Sequence, residues 1–349
     1  MIPPLPTDPT RLDDPRWEPD VRARLEDFLA GCRRELSVGS HPGVPGPFAV
    51  FDWDHTLFHG DIGDAVFLHL VRHALIHRPA AWEDTSPHLT PAARAALARS
   101  TNGRPRQPDT PALARELASI YLHHRTAGGA TAFAGHDPER THPSYAWCAS
   151  LMAGFTPGQI ADLTREVLDH LERRPPGSTA EVAGCDGWID WARFADPMVA
   201  LARQLEAAGL PVWIVSASPQ TVVETCATRA GLAPERVIGV RNRTSPDGTL
   251  KPALEACGRG DDLIPYCLGK RAWILRIIGG RADPDPARAD AALSARLWFA
   301  AGDGDGDLAF LQDAARLRLV ISQRESRTLR LARENADGRW LVNQPFLGA

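Results

Sequence analysis

Phe48-Ala49-Val50-Phe51-Asp52-Trp53-Asp54-His55-Thr56-Leu57 is the most informative stretch of the 349-residue chain. Four apolar residues in a row read as a short strand buried on both faces, as in a parallel sheet. Two carboxylates, Asp52 and Asp54, then leave its end two residues apart. Placed together at a strand terminus, one can be an ionised nucleophile. The other, kept protonated by its neighbour's field, can act as general acid. Alone, the pattern is also compatible with a polar turn after a strand.

Downstream, Ile62, Val66, Leu70 and Ala74 fall on one face of a helix. The spacing then predicts helices near 91–99, 111–124, 157–173 and 186–194, divided by Pro/Gly-rich loops, with no strand before about residue 196. After Pro197 the pattern changes. It predicts a helix over 198–208, a strand at 211–215, a helix over 219–230 and a strand at 236–240. A hairpin-like turn at Asp247-Gly248 follows. Next come a helix over 270–278, a strand at 297–301, a helix over 307–316 and a strand at 317–321. Alternating strands and helices predict an α/β fold with a parallel sheet. Upstream, residues 1–20 are Pro- and Asp-rich and read as an extended arm, Val21 to Leu36 as a helix, and 37–47 as a loop.

Three further features fall at strand ends or at the start of the next helix, where open α/β sheets bind ligands. Ile214-Val215-Ser216-Ala217-Ser218-Pro219 ends a strand on a hydroxyl, with Ser218 as a candidate helix N-cap and Pro219 at the first helical position. Gly269-Lys270 opens a helix, although lysine there opposes the helix dipole. Only two of the 39 basic residues are lysine, Lys251 and Lys270, so this placement points to a compact charge with a task such as holding phosphate. Lys251, beyond a turn, is the second candidate. Last is Gly302-Asp303-Gly304-Asp305-Gly306-Asp307. A calcium loop counted from Asp303 needs Gly at position six and Glu at twelve, but Leu308 and Ala314 stand there. A magnesium site built from few carboxylates, water and a substrate phosphate fits better.

The order Asp-x-Asp, Ser, Lys, Gly-Asp-x-x-x-Asp resembles the haloacid dehalogenase superfamily, within it the phosphoserine phosphatase branch, including phosphorylcholine phosphatase-like enzymes. The resemblance covers about 48–64 and 196–320. Phe58-His59-Gly60-Asp61-Ile62-Gly63-Asp64-Ala65 and Pro265-Tyr266 to Gly269-Lys270 strengthen it. It implies a Rossmann-like core (1–58 and 196–349) and an inserted helical cap of C1 type (59–195). It also implies Asp52 as the nucleophile that becomes an aspartyl phosphate, and Asp54 as the acid that later activates water. Ser216 and Lys270 would bind the phosphoryl group. Magnesium would sit on Asp52, the Asp54 carbonyl and Asp303, with Asp307 supporting. Three departures stand out: His55 and Ser218 replace glycines, and Gly306 replaces an asparagine.

The expected protein is a cytoplasmic, Mg2+-dependent phosphatase of a small phosphomonoester. Its leaving alcohol could carry an amine or ammonium, as in phosphoserine, phosphoethanolamine or phosphocholine. The rival readings are a phosphotransferase on the same core and a catalytically idle binding module. Asp61 and Asp64 either attract such an ammonium or simply favour a helix N-terminus. Trp82, Tyr121, Tyr145, Trp147, Trp188 and Trp191 could include an aromatic cage, though core packing suits most of them better. His69, His73 and His77 read as a solvated helix face rather than a metal site, and His123-His124 as surface. A net charge of -4 argues against a nucleic-acid-binding face, and no apolar run is long enough to span a membrane. The Met1-Ile2-Pro3-Pro4 start does not resemble a secretory signal, and the six scattered cysteines read as reduced thiols. Oligomeric state is left open.

Overall fold

The computed structural model describes residues 10–37, 45–101, 111–258, 263–322 and 324–347. In chain order, helix α1 (Pro19–Leu36) precedes strands β1 (Phe48–Asp52) and β2 (Phe58–His59). Helices α2 (Ile62–Arg72), α3 (Pro91–Ser100), α4 (Pro111–His123), α5 (Pro143–Ser150) and α6 (Pro157–Arg173) follow. Three short strands come next: β3 (Thr179–Val182), β4 (Cys185–Ile189) and β5 (Arg193–Phe194). Helix α7 (Asp196–Ala207), strand β6 (Val212–Pro219), helix α8 (Gln220–Arg229) and strand β7 (Val237–Val240) lead to the hairpin of β8 (Asn242–Thr244) and β9 (Leu250–Leu254). Helices α9 (Leu268–Ile277) and α10 (Ala291–Arg296), strand β10 (Leu297–Gly302), helix α11 (Leu308–Asp313), strand β11 (Leu317–Ile321), helix α12 (Arg327–Glu334) and strand β12 (Trp340–Asn343) complete the chain.

Six strands form one sheet in the order β12-β11-β10-β1-β6-β7, and every pairing in it is parallel. All five residues of β1 are buried, which explains its unbroken apolar run. The period of two splits them between the faces. Ala49 and Phe51 join a cluster with Leu25 and Leu29 of α1, whereas Phe48 and Val50 join Trp273 of α9 and Phe310 of α11. The result is a three-layer α/β core.

The helices α2 to α6 and the hairpin β3–β4 form a cap inserted between β1 and β6. Its entry and exit lie side by side: β2 pairs antiparallel with β5, Phe58 opposite Phe194 and His59 opposite Arg193. The cap also touches the core elsewhere. The amide of Leu268 donates to the Glu139 carbonyl (3.1 Å), Gly154 to Leu250 (2.9 Å) and Leu250 to Phe155 (2.8 Å).

Several expectations need correction. The segment 186–194, read as helical, forms β4 and β5. The aromatic spacing of Trp188, Trp191 and Phe194 mimicked a helical face, but the left-handed Ala183-Gly184 pair (φ 52° and 83°) folds a hairpin instead. Residues 10–18 are no free arm, since Leu12 and Trp17 are buried and Trp17 packs edge-on against Phe346. Residues 1–9 of that predicted arm lie outside the described residues. Ser218 does not cap α8: β6 continues through Pro219, and the Ser218 hydroxyl bonds a side chain instead. Helix α12 and strand β12 escaped the sequence reading altogether.

Candidate active site

At the carboxyl end of the parallel sheet, β1, β6 and β10 deliver their terminal side chains into a cavity of about 260 Å3 closed on the other side by the cap. Asp52, the last residue of β1, is 5% exposed. Thr56 Oγ1 donates to its Oδ2 (3.0 Å) and Lys270 Nζ to its Oδ1 (2.5 Å). The carboxylate is therefore held from both sides.

Lys270 is reached by a close approach. A Cβ on Gly269 would lie 1.8 Å from the Ile264 carbonyl oxygen, so only glycine lets α9 begin there. The buried ammonium also donates to Asp307 Oδ1 (2.6 Å). Burial works against its charge, but Asp307 and Asp52 outweigh it and the Lys270 pKa is raised. Lys251 is exposed on β9, away from this cavity's walls.

Asp307 folds back beneath the end of β10. Its Oδ2 accepts from the amides of Asp303 (2.9 Å) and Gly304 (3.3 Å). The turn needs Gly302, where a Cβ would come within 2.5 Å of that same oxygen. Asp307 thereby fixes both the loop bearing Asp303 and the position of Lys270.

Carboxylate oxygens of Asp52, Asp303 and Asp307 lie within 4.8 Å of one another. Among the described residues this is the one group of three or more potential metal ligands of its kind; His69, His73 and His77 form none, and they do not share a helix face either, because α2 ends at Arg72 with His73 as its C-cap and Ala74 left-handed (φ 53°). Instead His69 and His73 approach each other (ring centroids 4.4 Å) and His77 stacks on Phe155. Desolvation, and next Asp307, push the Asp52 pKa up to about 7 despite the pull of Lys270. Desolvation, then Asp307 and Asp52, raise Asp303 to about 8. Crowded, buried carboxylates carry that cost until a cation neutralises them, and hard oxygen ligands of this kind suit Mg2+. The residues fit such an ion.

Asp54 turns away from this cluster. Its Oδ1 accepts from the Ile62 amide (2.9 Å) and its Oδ2 from Ser218 Oγ (2.8 Å), with Ser216 Oγ at 3.4 Å. Burial, reinforced by Asp61, lifts its pKa to about 8. Ser216 is fully buried and lies behind the cavity wall, accepting from the Ser218 amide (3.1 Å); Ala217 and Ser218 line the wall itself. His55 takes the left-handed conformation (φ 64°), a region glycine enters freely and histidine more readily than most residues. Its amide bonds the Phe58 carbonyl (2.6 Å), closing the turn after Asp54.

The cap contributes Asp61, Tyr121, Tyr145 and Cys148 to the wall, facing Tyr266 from the core. Asp61 caps α2, its Oδ1 accepting from the Asp64 amide (2.8 Å), yet it also lines the cavity. Burial and then Asp64 raise its pKa well above the usual range. Asp64 is not in the wall; it accepts from the Tyr121 hydroxyl (2.5 Å). Of the six candidate aromatics, Trp82, Trp147 and Trp188 are core residues and Trp191 lies elsewhere, leaving Tyr121 and Tyr145 at the cavity. Sequence reasoning gave no role to Tyr266 or Cys148, and took the Ser218 hydroxyl for a helix cap. Tyr266 had a usable signal, standing four residues before Lys270; Cys148 had none. His123 is exposed as expected, but His124 is half-buried, Nε2 3.0 Å from Ser144 Oγ.

No family model matches the chain, and no curated protein does. Among solved structures, a functionally unknown protein from Anaerococcus prevotii superposes with a TM-score of 0.63 at 20% identity, covering 94% of this chain and 92% of its own. A protein of unknown function from Bordetella pertussis gives 0.50 at 16% identity, covering 87% of this chain and 100% of its own. A phosphoserine phosphohydrolase-like protein from Francisella tularensis reaches 0.38 at 14% identity over 79% and 87% of the two chains, too distant an overlay to carry an argument. No helix among the described residues is long and apolar enough to cross a membrane. With six parallel strands in one sheet and a helical cap inserted after the first of them, the chain has a Rossmann-like α/β fold, with the acid pair at the end of β1 facing the cap.

Proposed function

We propose that the protein is a Mg2+-dependent phosphatase that hydrolyses a small phosphomonoester through an aspartyl phosphate on Asp52. The observation carrying this reading is the convergence of Asp52, Asp303 and Asp307 within 4.8 Å, with Lys270 Nζ 2.5 Å from Asp52.

Thr56 and Lys270 hold the Asp52 carboxylate in one orientation, which favours its attack on phosphorus. As the ester P–O bond breaks, Asp54, already raised to about 8 by burial, gives its proton to the departing oxygen. It then takes a proton from the water that opens the acyl phosphate. Bound magnesium would supply charge stabilisation of the phosphoryl oxygens, held by Asp52, Asp303 and the Asp54 carbonyl with Asp307 in support. Lys270 adds a second positive charge at the same place. Enzymes accelerate phosphate-monoester hydrolysis by up to ~10²¹-fold, or about 28 kcal/mol, so several groups must act together.

The cap half supports a leaving group bearing an amine or ammonium. Asp61 and three tyrosines surround the space, and among the described residues Lys270 is the one lysine or arginine in the wall, already committed to the core half. Tyrosine faces and a carboxylate suit a cation. Among the described residues a leaving group with its own carboxylate finds no arginine in the wall, which favours phosphoethanolamine or phosphocholine over phosphoserine.

A phosphate-release screen comparing phosphocholine, phosphoethanolamine, phosphoserine and sugar phosphates, with Mg2+ and with EDTA, tests both parts. Turnover of the two amino-alcohol esters only with Mg2+ is expected. Absence of turnover over the whole panel with Mg2+ would remove the phosphatase reading, and preference for sugar phosphates the substrate reading.

A further inference from the structure

We infer that Ser218 is a positioning residue for acid catalysis: its hydroxyl holds Asp54 so that Oδ2 is the oxygen that carries the transferred proton. The inference rests on Asp54 being the general acid of the proposed phosphatase.

The two oxygens of Asp54 meet different chemistry. Oδ1 faces a backbone donor, the Ile62 amide at 2.9 Å. An amide N–H can only donate, so Oδ1 is confined to the role of acceptor and behaves as the carbonyl oxygen of the acid. Oδ2 faces the Ser218 hydroxyl at 2.8 Å. A hydroxyl both donates and accepts, and it rotates. It can donate to Oδ2 when Asp54 is a carboxylate and accept from Oδ2–H when Asp54 is an acid. Oδ2 is thus the oxygen able to gain and lose a proton without breaking its contact.

Ser218 is itself held in place. Its amide donates to Ser216 Oγ (3.1 Å), the residue is 6% exposed, and it stands in the cavity wall at the end of β6. Ser216 Oγ accepts from that amide and also donates to Oδ2, but at 3.4 Å its contact is the longer one. A glycine at position 218 would leave Oδ2 without its close partner, held only by the longer Ser216 contact, and loosen the orientation of the carboxyl. Misorientation of an acid costs rate in proportion to how much the leaving group needs the proton.

The test uses two esters alike in shape, phenyl phosphate and 4-nitrophenyl phosphate, in the full-length enzyme with Mg2+. Phenolate is the poorer leaving group and needs the acid more. The quantity read is kcat/KM, which stops at leaving-group departure and omits the later water step. Ser218→Ala and Ser218→Gly should lose about 10-fold on phenyl phosphate and stay within about threefold on 4-nitrophenyl phosphate. Asp54→Asn serves as the reference and should show the same selectivity, more steeply. Equal loss on both esters, or no loss, in the Ser218 variants overturns the inference, because a merely structural role would not discriminate leaving groups. If Asp54→Asn itself fails to discriminate, the underlying assignment of the acid falls instead. Retained turnover of 4-nitrophenyl phosphate shows that the Ser218 variants are folded, and native near-ultraviolet circular dichroism shows it for Asp54→Asn.

Discussion

The two halves of the cavity are built on different principles. In the core half, charged side chains are locked to one another and to the backbone: Lys270 bridges Asp52 and Asp307, and Asp307 also takes two amides. In the cap half, Asp61 stands among Tyr121, Tyr145 and Cys148, whose rings and thiol offer surface rather than fixed charge. The first half is fitted to an invariant reacting group, the second to a variable one. Mutations in the core half should therefore abolish turnover of every substrate, and those in the cap half should reorder substrates.

The largest effect is expected from Asp52→Asn. With the nucleophile gone, kcat should fall about 10⁴-fold or more for all esters, while the near-ultraviolet circular dichroism stays native. Residual turnover near the wild-type rate would place the nucleophile elsewhere. Lys270→Ala should lower kcat/KM by about 10²–10³-fold across substrates. Lys251→Ala, exposed on β9, should leave it within about twofold, which turns the rarity of lysine in this chain into a direct comparison. In the cap half, Asp61→Asn should raise KM about 10-fold for phosphocholine while sparing 4-nitrophenyl phosphate; a uniform loss on both would mean that Asp61 serves only to cap α2.

The buried carboxylates and the buried histidines titrate in opposite senses. Asp54 and Asp303 are raised to about 8 and Asp52 to about 7, all from 3.8, by burial first. The native state then binds more protons than the unfolded chain, so their contribution is whole below about pH 4 and is lost as pH rises through 7 to 8. His142 in the cap and His59 at its base are lowered to about 4 by burial, from 6.5. Their contribution runs the other way and is complete above pH 6.5. Between pH 6.5 and 8 the carboxylates alone govern this balance. Thermal unfolding of metal-free protein should show the melting temperature falling across that window, and Mg2+ should restore it at pH 8 by neutralising the same groups. A flat profile would mean that the acidic cluster is not crowded in solution.

What could be read from the chain follows the same division. Asp52, Asp54, Lys270 and Asp303 sit where a strand ends or a helix begins, and local pattern marks such places. Their convergence follows once the sheet is parallel. The Ser218 hydroxyl could not be read the same way, because an N-cap and a strand-end hydroxyl look alike until the length of β6 is known. The cap is harder still. Tyr121 and Trp188, both aromatic and both buried, differ in that only the first reaches the cavity, and that depends on how α4 and β4 pack. The hairpin β3–β4 failed to register because its burial alternates poorly, with Asp186 and Gly187 both exposed in succession. Helix α12, by contrast, buries Thr328, Leu329 and Ala332 at helical spacing, a pattern that is legible in the sequence.

One consequence of the β2–β5 pairing concerns how the cavity admits its guest. Both passages of the chain between core and cap are stitched together at Phe58–Phe194 and His59–Arg193. Such a spine permits the cap to turn like the cover of a book and resists sliding or wringing. Away from that spine, the backbone bonds at Leu268, Gly154 and Leu250 and the ion pairs of Arg229 with Asp169 and Glu172 also fasten cap to core.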